Sequence, residues 1–243
     1  MSDITGGLET SGIGLIKRAI ELDRSKRYTE SLICYQEGLQ LLMQASKATG
    51  RSEAGKTALR NKMVEYMDRA EWIKSHIDKE KTTGRYHEQI FIEENSTGFS
   101  YESLVSRFLL EKCERVEIDD PYIRSHHQIV NFLKFAELLV KSQCGLRVIK
   151  LRTSADTTDH QQQQTKLAEI GSSLATHHVT LHTEFSSSLH DREIRLSNNW
   201  TIKIGRGLDY FKPAPGKLAI GAFNYDLRPC RQTTVDIFYK SPP

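Results

Sequence analysis

The stretch from His190 to Tyr210, HDREIRLSNNWTIKIGRGLDY, decides how the second half of this chain folds. Polar and apolar side chains alternate over Glu193–Leu196 and again over Trp200–Ile204, so two short strands are predicted. A histidine stands two positions before a cation at the start of the stretch, and a Gly-Arg-Gly turn follows the second strand. Cations beside a turn whose backbone allows close approach are typical of a phosphate-binding site.

Outward from this stretch, predicted strands alternate with predicted helices. Strands are expected at residues 89–93, 115–119, 146–151 and 179–183, and later at 217–222 and 234–239. Helices are expected at 101–110, 127–141 and 162–175. This β-α-β-α-β order predicts a mixed sheet with helices packed on it.

The first third of the chain has helical periodicity throughout. Ser11 is expected to cap a first helix, a second runs from Tyr28 to about residue 48, and a turn is expected at residues 49–52. A third helix carries its apolar side chains on one stripe from Leu59 to Ile77. A three-helix bundle over residues 1–82 is therefore predicted, followed by a second domain over 83–243.

Charge is distributed unevenly along the 243 residues. The net charge is +3, but residues 192–243 carry nine basic side chains against four acidic ones. This favours a polyanionic partner, with an ordinary solvated surface as the alternative. Four widely spaced cysteines and a start that lacks a basic, apolar leader indicate a cytoplasmic protein with reduced thiols. No metal site or cofactor is expected.

The third helix carries a specific resemblance. The string YMDRAE from Tyr66 to Glu71, together with the spacing of Tyr28, Leu32 and Tyr35, closely resembles the MIT domain. This resemblance covers about residues 10–82. It implies that the bundle binds the helical C-terminal tails of ESCRT-III subunits in a groove between the second and third helices.

The resemblance also assigns residues to that groove. Met67 lies off the core stripe and corresponds to the apolar groove position, with Met63, Leu39 and Leu42 as its neighbours. Asp68 and Glu71 are expected to pair with basic residues of the tail. The alternative for Met67 is packing against the second helix.

The second domain resembles the phospholipase D superfamily, whose signature is H-x-K-x-x-x-x-D followed by a small-residue turn. His190 takes the histidine position and Arg192 the lysine position, while Ser197 stands where the family has the aspartate. Because that carboxylate is absent and no second motif of this type occurs, His190 and Arg192 are interpreted as vestigial, and no catalytic residue is expected. The alternative is a phosphodiesterase whose active site is shared across a homodimer.

The phosphate-binding character of the motif predicts a phospholipid site. Its residues are expected to be Arg192, Arg195, Lys203, Arg206, Lys212 and Lys217. Each basic residue near an anionic surface contributes on the order of 1 kcal/mol. Tyr210 and Phe211 are expected to reach the headgroup level.

The whole chain resembles a family in which an MIT domain precedes a dimeric, phospholipase D-like domain. The resemblance implies a non-enzymatic adaptor of cytokinesis and abscission, which binds ESCRT-III tails and anionic phospholipids, phosphoinositides among them. It also implies a peripheral membrane protein at the late endosome membrane and the midbody, with no nucleic-acid partner. A protein scaffold without lipid contact is a further alternative.

Overall fold

The computed structural model describes residues 2–47 and 53–240. It divides into two compact units, Met1–Tyr86 and His87–Pro243. The turn expected at residues 49–52 lies outside the described residues.

The first unit contains three helices, as the apolar spacing predicts. They are α1 (Ser2–Arg24), α2 (Tyr28–Ser46) and α3 (Glu53–Thr82). Helix α1 begins well before Ser11, so the expected cap at that residue is wrong. The buried stripes include Ile16 of α1, Tyr35 of α2 and Ile73 of α3, and they form the core of the bundle.

The second unit is built on one seven-stranded sheet in the order β1-β7-β6-β5-β2-β3-β4. Strands β2, β3 and β4 are parallel, and the other neighbours are antiparallel. The sheet is therefore mixed, as expected. The strands are β1 (His87–Ile92), β2 (Arg115–Asp119), β3 (Val148–Thr153), β4 (Thr180–Phe185), β5 (Glu193–Leu196), β6 (Trp200–Ile204) and β7 (Thr233–Tyr239). The helices are α4 (Tyr101–Val105), α5 (His126–Lys141) and α6 (His160–Ala175), with short 3-10 turns at Ser106–Phe108 and Tyr225–Leu227.

The two faces of the sheet differ in character. One face is lined by buried aliphatic side chains, such as Ile118, Ile194 and Ile202. Helices α5 and α6 lie on one side of the sheet, because each is a crossover between neighbouring parallel strands and such crossovers share one hand. The opposite face, the open sheet face, carries charged residues: Glu117, Asp119, Lys150, Arg152, Glu193, Arg195 and Lys203.

The strand expected at residues 217–222 is absent, and this prediction is wrong. The segment forms turns, in which Ala219 N–H donates to Gly216 and Ala222 N–H donates to Ala219. An apolar run of this length is compatible with a strand, but strand formation also needs a neighbour with free backbone groups. No strand of the sheet pairs with this segment in the described part of the chain.

Candidate functional site

Helix α3 presents an exposed face made of four residues. Val64, Met67, Asp68 and Glu71 follow the spacing i, i+3, i+4, i+7, so they lie together on one side of the helix. All four are exposed, and Met67 has 43% of its surface accessible. Two acidic groups therefore border an apolar strip. Val64 adds a second apolar side chain beside Met67, as their helical spacing in the sequence indicates.

The neighbours expected for Met67 need correction. Met63, Leu39 and Leu42 are buried, at 8%, 7% and 3% exposure. Their side chains belong to the bundle core, because they lie on the faces that the helices turn towards one another. They support the helices from inside and leave little surface for a ligand.

The middle residues of the YMDRAE string are structural. Arg69 donates two hydrogen bonds of 2.8 Å to the carboxylate of Asp23, which ties α3 to the end of α1. Its guanidinium also lies 4.1 Å from the ring centre of Trp72. Ala70 is buried. The string thus combines residues that hold the bundle together with residues that face outward, Met67, Asp68 and Glu71.

In the second unit, the structure brings Arg192 to the glycine turn. Its guanidinium donates to the carbonyl oxygen of Gly205 and lies 4.4 Å from the ring centre of Tyr122. Arg124 lies over the same ring at 5.1 Å. Tyr122 was not predicted in this site, because it follows β2 and reaches the site only through the pairing of β2 with β5.

The turn itself is anchored by a buried carboxylate. Asp120 accepts hydrogen bonds from the backbone N–H groups of Tyr122 (3.0 Å) and Leu208 (2.9 Å). Burial raises the pKa of Asp120 above its ordinary value. Gly207 has a φ of +62°. A Cβ atom there would lie 2.1 Å from the Asp120 Oδ2, so only glycine fits.

His190 lies at this end of the sheet and is exposed. Among the described residues it has no hydrogen-bonded carboxylate. Ser197 was expected to stand in place of a carboxylate that orients His190, and this expectation is wrong. Ser197 follows the far end of β5, where its hydroxyl accepts from the Arg115 N–H at 3.1 Å. At about 3.3 Å per strand residue, a side chain there cannot reach His190, whatever its type.

Arg195 is not available to a phospholipid as expected. On the open sheet face it contacts the carboxylates of Asp119 (2.8 Å), Glu117 (3.3 Å) and Glu193. Arg152 also donates to Asp119. Burial alone would raise the pKa of Asp119, but the hydrogen bonds from Arg152 and Arg195 outweigh it, so that pKa lies below its ordinary value.

Two further cations are also engaged. Lys203 lies 3.4 Å from Glu193 across the β5–β6 pair. Lys212 pairs with Glu94 and donates to Asn95 at 2.7 Å. Their expected role in lipid binding is weakened, because intramolecular carboxylates already neutralise them. Arg206 and Lys217 are exposed and form no ion pair within the described part of the chain.

The aromatic residues expected at the headgroup level are buried. Tyr210 and Phe211 pack in the core, with ring centres 4.2 Å apart. The exposed apolar side chains near them are instead Leu218, Ile220 and Phe223. The signal that would have found them is the uncharged run Leu218–Phe223, which follows a lysine.

Neither a metal site nor a membrane-spanning helix is found in the described ranges. No group of three or more metal-ligating side chains occurs in residues 2–47 and 53–240. No helix within those ranges is long and apolar enough to cross a membrane.

Comparisons with known proteins assign both units. Residues 10–75 match the family model of the MIT (microtubule interacting and transport) domain. Residues 98–239 match the model described as a phospholipase D-like domain at the C-terminus of MIT. The three-helix bundle and the mixed-sheet domain therefore have the family identities that the sequence resemblance predicted.

One relative matches over nearly the full length of the chain. The chain is 52% identical to MIT domain-containing protein 1 of Mus musculus over 95% of this chain and 92% of that protein. It is 35% identical to vacuolar protein sorting-associated protein 4 of Dictyostelium discoideum over 28% of this chain and 15% of that protein. A solved phospholipase D family member, Nuc from Salmonella typhimurium, aligns with 65% of this chain and 86% of its own, at 10% identity and a TM-score of 0.38. The chain therefore belongs to the family of MIT domain-containing protein 1, in which an MIT domain is followed by a phospholipase D-like domain.

Proposed function

We propose that this protein is a non-enzymatic adaptor, which binds helical C-terminal tails of ESCRT-III subunits through its MIT domain and anionic phospholipids through its phospholipase D-like domain. The observation that carries the proposal is the exposed α3 face, where Met67 stands beside Asp68 and Glu71. Such a face suits an amphipathic helix that offers an apolar anchor and basic side chains. Methionine adapts its shape to such anchors.

Peptide titration tests the first half of this function. Met67→Asp in the full chain is expected to abolish binding to ESCRT-III tail peptides, since it places a charge at the apolar contact, while the thermal midpoint stays unchanged because Met67 is exposed. Unchanged tail affinity would contradict the assignment.

A charge swap gives a matched control. Glu71→Lys is expected to weaken tail binding, whereas Glu65→Lys is not. Both are exposed acids on α3, but six residues of helix separate them by about 120° around the axis. Equal effects of the two variants would argue for a general charge effect and against the α3 face.

The lipid half of the function is supported by basic residues at the glycine turn and in the segment that follows it. Arg206 and Lys217 are exposed, and Arg124 and Arg192 flank Tyr122. Vesicle sedimentation of the full chain should show binding to phosphoinositide vesicles that weakens as salt is raised. Absence of such binding would leave the scaffold alternative, without lipid contact.

The phosphodiesterase alternative requires that His190 act as a nucleophile or a general acid. A histidine nucleophile or acid needs a positioned partner, and no carboxylate is hydrogen-bonded to His190 among the described residues. Hydrolysis of phosphodiester substrates by the wild type, lost in His190→Ala, would overturn the non-enzymatic proposal.

We further propose that the protein is a homodimer, which light scattering tests. We also propose that it acts at the midbody and late endosome during cytokinesis and abscission, and imaging of tagged protein tests this location.

A further inference from the structure

The segment between Phe211 and Cys230 forms a closed loop. These two buried residues pair as an isolated antiparallel bridge. The Lys212 N–H donates to the Pro229 carbonyl at 2.9 Å. Residues 212–229, the apolar loop, therefore leave and re-enter the domain at one point, in the manner of a compact surface loop.

The returning half of the apolar loop is held in one conformation. Arg228 donates from Nε to the Gly221 carbonyl at 2.7 Å and from Nη2 to the Ala222 carbonyl. Its guanidinium lies 4.0 Å from the ring centre of Tyr225. Gly221 has a φ of +84°, and a Cβ there would lie 2.9 Å from the Leu227 carbonyl oxygen. These contacts hold the backbone between Gly221 and Arg228 in place.

The tip of the apolar loop leaves its largest side chains in solvent. Leu218, Ile220 and Phe223 are 92%, 82% and 74% exposed. No charged residue lies between positions 218 and 223. A cluster of exposed apolar side chains on one short segment marks an interaction site, whereas single exposed apolar residues are ordinary.

The charges around the tip indicate its partner. The apolar loop contains the cations Lys212, Lys217 and Arg228 and one acid, Asp226. Lys212 already pairs with Glu94 and Arg228 donates within the loop, so Lys217 is the loop cation that remains available to an anion. Lys217 directly precedes Leu218 and has no ion pair in the described part of the chain. Apolar side chains flanked by cations are complementary to an anionic lipid surface, where the cations meet headgroups and the apolar groups enter the acyl boundary.

We propose that the apolar loop inserts Leu218, Ile220 and Phe223 into the interfacial layer of an anionic membrane. This inference rests on the proposed function, because it names the element that makes the membrane contact. The inserted side chains add an apolar contribution to the membrane affinity that the basic residues provide. Binding should then keep a component that high salt does not remove.

The test uses the full chain and vesicles of phosphatidylcholine with phosphatidylserine. The triple variant Leu218→Ser, Ile220→Ser, Phe223→Ser is expected to bind at least tenfold more weakly than the wild type. Leu110→Ser is the matched control, since Leu110 is an equally exposed apolar residue of the same domain outside the loop, and its binding should be unchanged. In a separate variant, Ile220→Trp, the fluorescence should shift to the blue on vesicle addition and be quenched by lipids brominated on the acyl chain.

The outcomes separate this inference from the proposed function. If the wild type binds and the triple variant binds equally well, the loop assignment is overturned and the proposed function stands. If the wild type does not bind, the proposed lipid function itself fails. The triple variant could also lose both vesicle binding and a dimer that the wild type shows by light scattering. That result would mean that the loop contacts a second copy of the chain, and it would overturn the proposed membrane insertion. The fluorescence of Ile220→Trp decides the case if the triple variant does not fold.

Discussion

The open sheet face and the apolar loop lie in the same domain and both carry cations, yet Lys217 of the loop differs from the sheet cations in what it contacts. On the sheet face, Arg152, Arg195 and Lys203 each touch a carboxylate of a neighbouring strand. At the loop, Lys217 stands exposed beside apolar side chains.

The difference teaches that the density of basic residues does not identify a binding surface. A cation that already pairs with a buried carboxylate must lose that partner before it binds an anion. An exposed, unpaired cation has no such competitor. Lipid binding and sheet stability should therefore depend on different residues.

The largest effect is expected at Gly207, in the turn that joins the sheet to the segment leading into the loop. Gly207→Ala should lower the free energy of unfolding by about 3 kcal/mol, because it adds left-handed strain and displaces the buried Asp120 from its two backbone donors. Chemical denaturation measures this. Gly98→Ala is the control, because Gly98 also has a positive φ but has open space around its Cβ position, and its cost should be about 1 kcal/mol. Equal losses in the two variants would refute the role given to Asp120.

Asp119 is the next test, because it holds the charges of the open sheet face together. Asp119→Asn should lower the free energy of unfolding by about 2 kcal/mol, since it leaves two guanidinium groups without their shared carboxylate. Vesicle binding should be unaffected. An increase in vesicle binding by this variant would show that freed sheet cations can act on lipid, and the contrast between the two regions would then be conditional.

Acid should remove the difference in stability between the wild type and the Asp119→Asn variant. The pKa of Asp119 is lowered in the folded state, so its ionised form contributes stability above the ordinary aspartate pKa of about 3.9 and loses that contribution as pH falls through the lower, folded value. The stability gap between wild type and Asp119→Asn should therefore be constant near neutrality and narrow below about pH 4. Thermal unfolding at a series of pH values measures the gap, and a gap that persists in strong acid would contradict the assigned ion pairs.

The smallest effects are expected for single cations, and they compare a paired cation of the open sheet face with the unpaired Lys217 of the apolar loop. Arg195→Gln should lower the free energy of unfolding by about 1 kcal/mol and leave vesicle affinity unchanged. Lys217→Gln should leave unfolding unchanged and lower vesicle affinity about fivefold, as expected for one basic residue worth about 1 kcal/mol at an anionic surface. If both variants weaken vesicle binding equally, the distinction between paired and unpaired cations is wrong.

The sequence predicted the elements of this fold well where the signal is local. The strands at Arg115–Asp119, Glu193–Leu196 and Trp200–Ile204 have the bounds that alternation indicates. The exposure of Met67 followed from its place off the apolar stripe of α3. Such patterns depend on neighbours within one or two turns of the same segment.

The sequence could not identify the partner of a charged side chain. Arg195 meets Glu117 and Asp119 because β5 lies antiparallel to β2, and that register joins residues almost eighty positions apart. The run at residues 217–222 was predicted as a strand from its local composition. That no strand pairs with it in the described part of the chain depends on distant residues, so the local pattern could not show it. Tyr210 was expected at the headgroup level and is buried, because its packing partners are also distant in the sequence.

Because β1 pairs with β7, the two ends of this domain lie close together, and its strands and helices could follow one another in a different order along the chain. His87 stands opposite Phe238, and their rings stack with centres 4.6 Å apart. The first and last strands of the second unit are thus neighbours, so a short linker could join them without disturbing the sheet. A circular permutant of residues 87–240, opened in the exposed turn between β3 and α6, should fold to the same sheet, because entry and exit of the chain share one edge.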